Sequence, residues 1–178
     1  MYPVIRMVGE MIRAGRAGPL PLFGTHVSAH RCWPQDIDLW VELNNGRTLT
    51  LLDLGRIPLS RRIGLVARVR ARGWGMTVAG VSVRYRRRIR LFQRFEMRSR
   101  LAGWDARFFY FDQTMWNRAG ECTTQALYRI AVVGADGIVA PGQVLQTWQP
   151  DAQPPVLPDW IAAWIEADRR RPWPPERV

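Results

Sequence analysis

Asp36-Ile37-Asp38-Leu39-Trp40-Val41-Glu42-Leu43-Asn44-Asn45 sets two carboxylates two residues apart, then a third acid and two asparagines where a helix can begin. An asparagine side-chain oxygen accepts one of the backbone N–H groups that a first helical turn leaves unpaired. Those free N–H groups and the helix dipole favour negative charge, including charge that develops on a carbonyl oxygen during acyl transfer. A carboxylate beside such a helix start suits hydrolysis of an activated acyl group.

Outward from this stretch, residues 25–33 read as extended chain. Downstream, Leu49, Leu51 and Leu52 fit a strand as well as a buried helix by pattern alone. Pro58 is expected to interrupt that element, and Ser60 to open a helical stretch running to about Arg72 and closed by Gly73. Four strand candidates follow at residues 76–91, 94–105, 108–117 and 122–133. Their separators, including Ala102-Gly103 and Arg118-Ala119-Gly120, are short enough for antiparallel neighbours. Asp136-Gly137 is a turn before a last short element at residues 138–148.

Read from Asp36-Ile37-Asp38 through Asn44-Asn45 to Asp53-Leu54-Gly55-Arg56, the chain resembles the D-x-D-x-x-G-H-x-N-N…E-x-A-R pattern of hotdog-fold acyl-CoA thioesterases. The 4-hydroxybenzoyl-CoA thioesterase-like branch is the nearest, and within it the thioesterase-superfamily-member-six-like proteins. A looser likeness extends over residues 25–133. Together with the asparagine start it favours a helix at residues 45–56, and it implies an α+β hotdog fold. That is a curved antiparallel sheet of about five strands wrapped around a central helix, because an apolar helix must be covered. By the same resemblance Asp38 matches the family's catalytic aspartate, Asp36 the preceding acid, and Asn44 and Asn45 the paired asparagines. Two departures matter: the family's Gly-His pair is Val41-Glu42 here, and its tyrosine after the asparagines is Thr48. The resemblance further implies a homodimer or dimer of dimers with active sites between subunits, and no metal or other cofactor.

In that frame Asp38 attacks a thioester carbonyl directly, giving an anhydride, or activates water as a general base. Its structural alternative is a turn aspartate ahead of a helix. Asp36 orients Asp38, binds an arginine or shapes the turn. Glu42 is a base in its own right or replaces a hydrogen bond, while its charge opposes a developing oxyanion and raises Asp38 if the two lie close. Asn44 and Asn45 cap the helix, with direct substrate contact as the alternative. Arg84, Arg86, Arg88 and Arg90 alternate with Val83, Tyr85 and Ile89, which puts the four on one strand face and Arg87 on the other. Guanidinium groups suit the phosphates of CoA; a solvated face paired in part with Glu96 is the plainer use. His26 and His30 share a strand face without a third ligand, so packing rather than metal binding is expected. Aromatics Phe108 to Phe111, Trp104 and Trp116 around one hairpin are sheet core or subunit interface, with an acyl pocket as the alternative use of some.

Composition bounds the rest. The chain has 178 residues, 47% of them hydrophobic, which is enough for one domain with a true core. Its net charge of +11 comes from arginine with no lysine, and favours encounters with anions such as CoA, anionic lipid or nucleic acid. Scattered basic residues and the lack of a nucleic-acid-binding motif disfavour the last of these. Cys32 and Cys122 are isolated, as in a reducing compartment. Arg6, Glu10, Arg13 and Arg16 interrupt the N-terminus too often for a secretory signal, so a cytoplasmic location is expected.

Three segments are expected: an N-terminal helix and connector (1–24), the thioesterase-like domain (25–148), and a proline-rich linker with a terminal helix (149–178). Val4, Ile5, Val8, Met11 and Ile12 fall at helical spacing within residues 1–14. Such a basic amphipathic helix lies on a membrane surface or packs on the body or a partner. Trp160, Ile161, Trp164 and Ile165 form one stripe of the terminal helix at residues 160–171. Two functional readings remain: an enzyme hydrolysing acyl-CoA, or a non-catalytic hotdog protein binding acyl-CoA or lipid as carrier, sensor or scaffold. Val41-Glu42 favours the second.

Overall fold

Four leucines with no exposed surface, Leu51, Leu52, Leu54 and Leu59, mark the centre of the fold. A computed structural model describes residues 2–146 and 148–177. Met1, Thr147 and Val178, which fall within the expected N-terminal helix, last short element and C-terminal segment, lie outside the described residues. The chain runs α1 (Val4–Arg16), β1 (His26–Arg31), a 3-10 turn (Pro34–Asp36), α2 (Asn45–Arg62), α3 (Leu65–Ala71) and β2 (Gly75–Tyr85). It continues with β3 (Arg94–Trp104), β4 (Phe109–Asn117), β5 (Cys122–Gly134), β6 (Gly137–Val139), α4 (Pro141–Leu145) and α5 (Asp159–Arg170).

All strand pairs are antiparallel and the order is β1-β3-β4-β5-β2, with β6 folded back on β5. The connection from β1 at one edge to β2 at the other contains α2, which therefore lies across the inner face of the curled sheet. This is the expected α+β hotdog arrangement. Contact is closest at Gly55, where a Cβ would fall 2.4 Å from Ser99 Oγ and 2.6 Å from Met97 Sδ. Gln113 beneath it donates to Leu52 O at 2.9 Å and to Ser99 Oγ at 2.8 Å, so the polar atoms buried under the helix are paired.

Two expectations are corrected. Pro58 does not end the central helix: α2 continues through it to Arg62, and α3 begins only after Gly64, whose φ of 84° turns the chain. An interior proline costs about 3 kcal/mol. Four fully buried leucines, each contributing roughly 1.5–3 kcal/mol, outweigh that cost. The strand expected over residues 76–91 stops at Tyr85. The amides of Arg86 and Arg87 both donate to Thr123 O, at 2.8 and 3.2 Å, and the chain then turns inward to bury Ile89. Only Arg84 of the four alternating arginines stays on the strand, and Glu96 pairs with Arg98 instead.

The terminal helix lies on the outer face of the sheet. Ile161 is buried with Tyr110 and Leu127, Trp164 and Ile165 flank them, and Asp168 pairs with Arg129 at 2.6 Å. The linker crosses Gly103, at φ 153°, so closely that an added Cβ would lie 2.8 Å from Leu157. His26 and His30 are buried on β1 as packing residues. His26 Nδ1 lies 3.0 Å from an Arg62 nitrogen and His30 Nε2 lies 2.8 Å from Ser28 Oγ.

Candidate functional site

The stretch between the 3-10 turn and α2 folds into a small hairpin. Ile37 bridges Leu43, Asp38 N donates to Glu42 O at 2.9 Å, and Val41 N donates to Asp38 O at 3.1 Å. Closing so short a loop puts Val41 at φ 59°. That is left-handed territory, where a β-branched residue is strained by roughly 1–2 kcal/mol. The family pattern has glycine at this position, the residue that takes such a φ without strain. The tip it forms, Leu39-Trp40-Val41, is exposed and apolar.

The three acids of the stretch go to three different places. Asp36 is fully buried: Oδ1 accepts from Arg47 Nε at 2.7 Å, and Oδ2 from Arg6 at 2.7 Å and from the Trp33 amide at 3.1 Å. Burial alone would raise its pKa, but the hydrogen bonds from Arg47, Trp33 and Arg6 bring it below the ordinary carboxylate value. Asp36 is thus a clamp between α1 and the first turn of α2. Of the uses expected for it, binding an arginine is the one seen here. Asp38 turns its carboxylate back on its own loop, accepting the Trp40 amide at 2.9 Å in an exposed position.

Glu42 faces a cleft. A space of about 220 Å³ at the start of α2 is lined by Glu42, Asn45, Thr48, Tyr85 and the run Arg86 to Arg88, with Leu43, Ile89 and Thr124 closing it. Glu42 Oε2 is buried, accepts no hydrogen bond, and lies 3.0 Å from Arg88 Nε. Asn44 caps the helix by accepting Arg47 N at 3.0 Å, and the ladder begins with Thr48 N on Asn44 O at 2.8 Å. Helix geometry leaves the amides of Asn45 and Gly46 without intrahelical acceptors, and of the two residues Asn45 lines this wall. Tyr85 Oη donates to Asn45 O at 3.2 Å and ties the end of β2 to the helix start.

The expected residues are therefore brought together in part. Glu42, Asn45, Arg86 and Arg88 share the cleft; Arg84, Asn44, Asp36 and Asp38 do not line it. Arg87, Thr48 and Tyr85 were not anticipated there. Their signal was weak because strand alternation assigned Arg87 to the opposite face, and only the end of β2 lets three consecutive arginines surround one opening. A second space of about 320 Å³ sits farther along α2 and is mainly apolar, with Ile57, Val66, Val69, Trp74, Met76 and Ile130 among its walls. β2 runs back along α2, so both spaces border the same helix–strand seam.

Residues 32–165 match the thioesterase-like superfamily. Protein THEM6 of Xenopus laevis is 32% identical over 135 residues, which is 75% of this chain and 63% of that protein. The chain thus spans somewhat under two-thirds of that relative's length. Among solved structures, the probable thioesterase YbaW of Escherichia coli superposes with a TM-score of 0.60 at 18% identity, covering 68% of this chain and 94% of that one. The DHNA-CoA thioesterase of Staphylococcus aureus gives 0.60 at 14% identity, covering 82% and 91%. At these identities the structures speak to the fold, and the sequence match speaks to descent: the chain belongs to the thioesterase-like superfamily.

Proposed function

We propose that the chain hydrolyses acyl-CoA thioesters in the cleft between the start of α2 and the end of β2. One observation carries this reading: the carboxylate of Glu42, its Oε2 buried 3.0 Å from Arg88 Nε, lines a cleft at the start of α2 together with Asn45, Arg86, Arg87 and Arg88. The thioester oxygen faces the amides of Asn45 and Gly46, which stabilise the charge that develops on it. Glu42 takes a proton from water as the water oxygen bonds to the carbonyl carbon. The C–S bond then breaks and CoA leaves as its thiolate. The arginines hold the phosphates of CoA, and the apolar space farther along the seam receives the acyl group. Superfamily membership supports the reaction class, and the S. aureus fold neighbour is named as a thioesterase of a CoA ester.

Choice of carboxylate is tested directly. Across a panel of acyl-CoAs, Glu42→Gln should lower kcat roughly a hundredfold or more, the range of a lost general base, with the fold unchanged. Asp38→Asn should cost far less; a larger loss from Asp38→Asn would move the chemistry to Asp38. The second reading, binding without turnover, is favoured by the Arg88 ion pair that holds the Glu42 carboxylate. Tight acyl-CoA binding by a wild-type chain that releases no thiol would establish it.

The same reading includes a homodimer. β2 is a sheet edge of 11 residues with no charge from Gly75 to Val83, and such an edge invites a second strand. A copy paired there would close the seam from outside. Light scattering should read a dimer, and Val78→Lys on the exposed edge should shift it toward monomer.

A further inference from the structure

Helix α1 turns a mixed face to the protein: Met7 packs on the core and Ala14 is buried, while beside them Arg6 reaches Asp36 at 2.7 Å and Glu10 is buried against Arg13, with His30 Nδ1 at 3.8 Å. Its aliphatic stripe faces away, leaving Val4 61%, Ile5 89%, Val8 53% and Ile12 51% exposed. Turning the helix to bury these side chains would gain apolar burial, yet the ion pairs hold it the other way.

We propose that this stripe seats α1 in the surface of an anionic lipid bilayer. Charge selects this occupant. The helix's one acid, Glu10, is turned inward, while Arg13 stays exposed and Arg16 and Arg61 share a shallow cleft with Val8 and Ile12. On the other flank, Ile5 shares a cleft with Trp33, Arg31 and Arg94. Aliphatic side chains bordered by tryptophan and arginine match the headgroup boundary, where stems bury and guanidinium groups meet lipid phosphates. A second copy applied to the same face would bring like charges together. No described helix is long and apolar enough to cross a membrane, so the contact is with one leaflet.

The test uses the whole chain and vesicles of phosphatidylcholine with and without phosphatidylglycerol. Wild-type protein should co-sediment with the anionic vesicles, weakly with the neutral ones, and less as salt rises. The I5E/I12E variant should lose roughly tenfold or more in partition while keeping its circular dichroism and its hydrolysis of soluble acyl-CoA. The milder I5S/I12S variant guards against misfolding, and R13Q/R16Q should weaken binding to anionic vesicles alone. Failure of the wild type to bind anionic vesicles overturns the proposal, as does undiminished binding by I5E/I12E. A change of oligomer size instead of partition assigns the face to a second copy and overturns it equally. Vesicle partition, circular dichroism and oligomer size are independent of whether the cleft at Glu42 is catalytic; only the retained hydrolysis rests on that reading.

Discussion

The two terminal helices are both amphipathic, yet they use their faces in opposite ways. α5 lays Ile161 and its neighbours Trp164 and Ile165 on Tyr110 and Leu127, and leaves Glu166, Arg169 and Arg170 to solvent. α1 lays Arg6 and Glu10 on the domain and leaves its aliphatic side chains outside. Apolar burial, with the Arg129–Asp168 ion pair, holds α5; ion pairs around Asp36, beside the packed Met7 and buried Ala14, hold α1. The contrast teaches that an apolar stripe tells where a helix wants company, not whether its own domain supplies it.

That contrast can be broken or sharpened by measurement. Asp36→Ala should do the most damage, about 3–5 kcal/mol in urea unfolding, because it leaves Arg6 and Arg47 partly buried without their carboxylate. A loss below 1 kcal/mol would mean that ion pairs do not hold α1. Ile161→Ala should cost about 2–4 kcal/mol as a buried truncation under α5. Acidification should then weaken the α1 side selectively. Burial and Arg62 hold His26 down to about 4, and burial with Arg6 and Arg13 holds His30 down to about 3.

Because these folded values lie below those of the unfolded chain, the contribution is whole above about pH 6.5 and is lost as pH falls toward 4. Glu10, raised by burial, has the opposite sign and offsets part of the loss. Stability should therefore fall between about pH 7 and pH 5. Limited proteolysis at the lower pH should free α1 before α5. Smallest of all, Ile5→Ala should change stability by less than about 0.5 kcal/mol in the absence of lipid. A cost comparable to Ile161→Ala would show that the stripe is covered.

Much of the fold was legible because its signals are local. Asn44 does cap α2, the four later strands lie where short turns separate apolar runs, and Ile161, Trp164 and Ile165 of the terminal stripe pack while Trp160 stays exposed. Pro58 misled because a local penalty was read without the burial that outweighs it. The arginine run misled because alternation holds only while the strand lasts, and Thr123 O captures two successive amides just past Tyr85.

The candidate site was legible in composition and not in geometry. Spacing grouped Asp36, Asp38 and Glu42, but which acid is clamped, which caps its own turn and which opens on a cleft depends on Arg6, Arg47 and Arg88, the first 30 positions from Asp36 in sequence. By itself the sequence determined the elements and their apolar faces, since capping, turn chemistry and periodicity act within a few residues. The direction each acid and each helix face finally took was decided only in the tertiary structure, because burial and ion pairing are settled between distant segments once they meet.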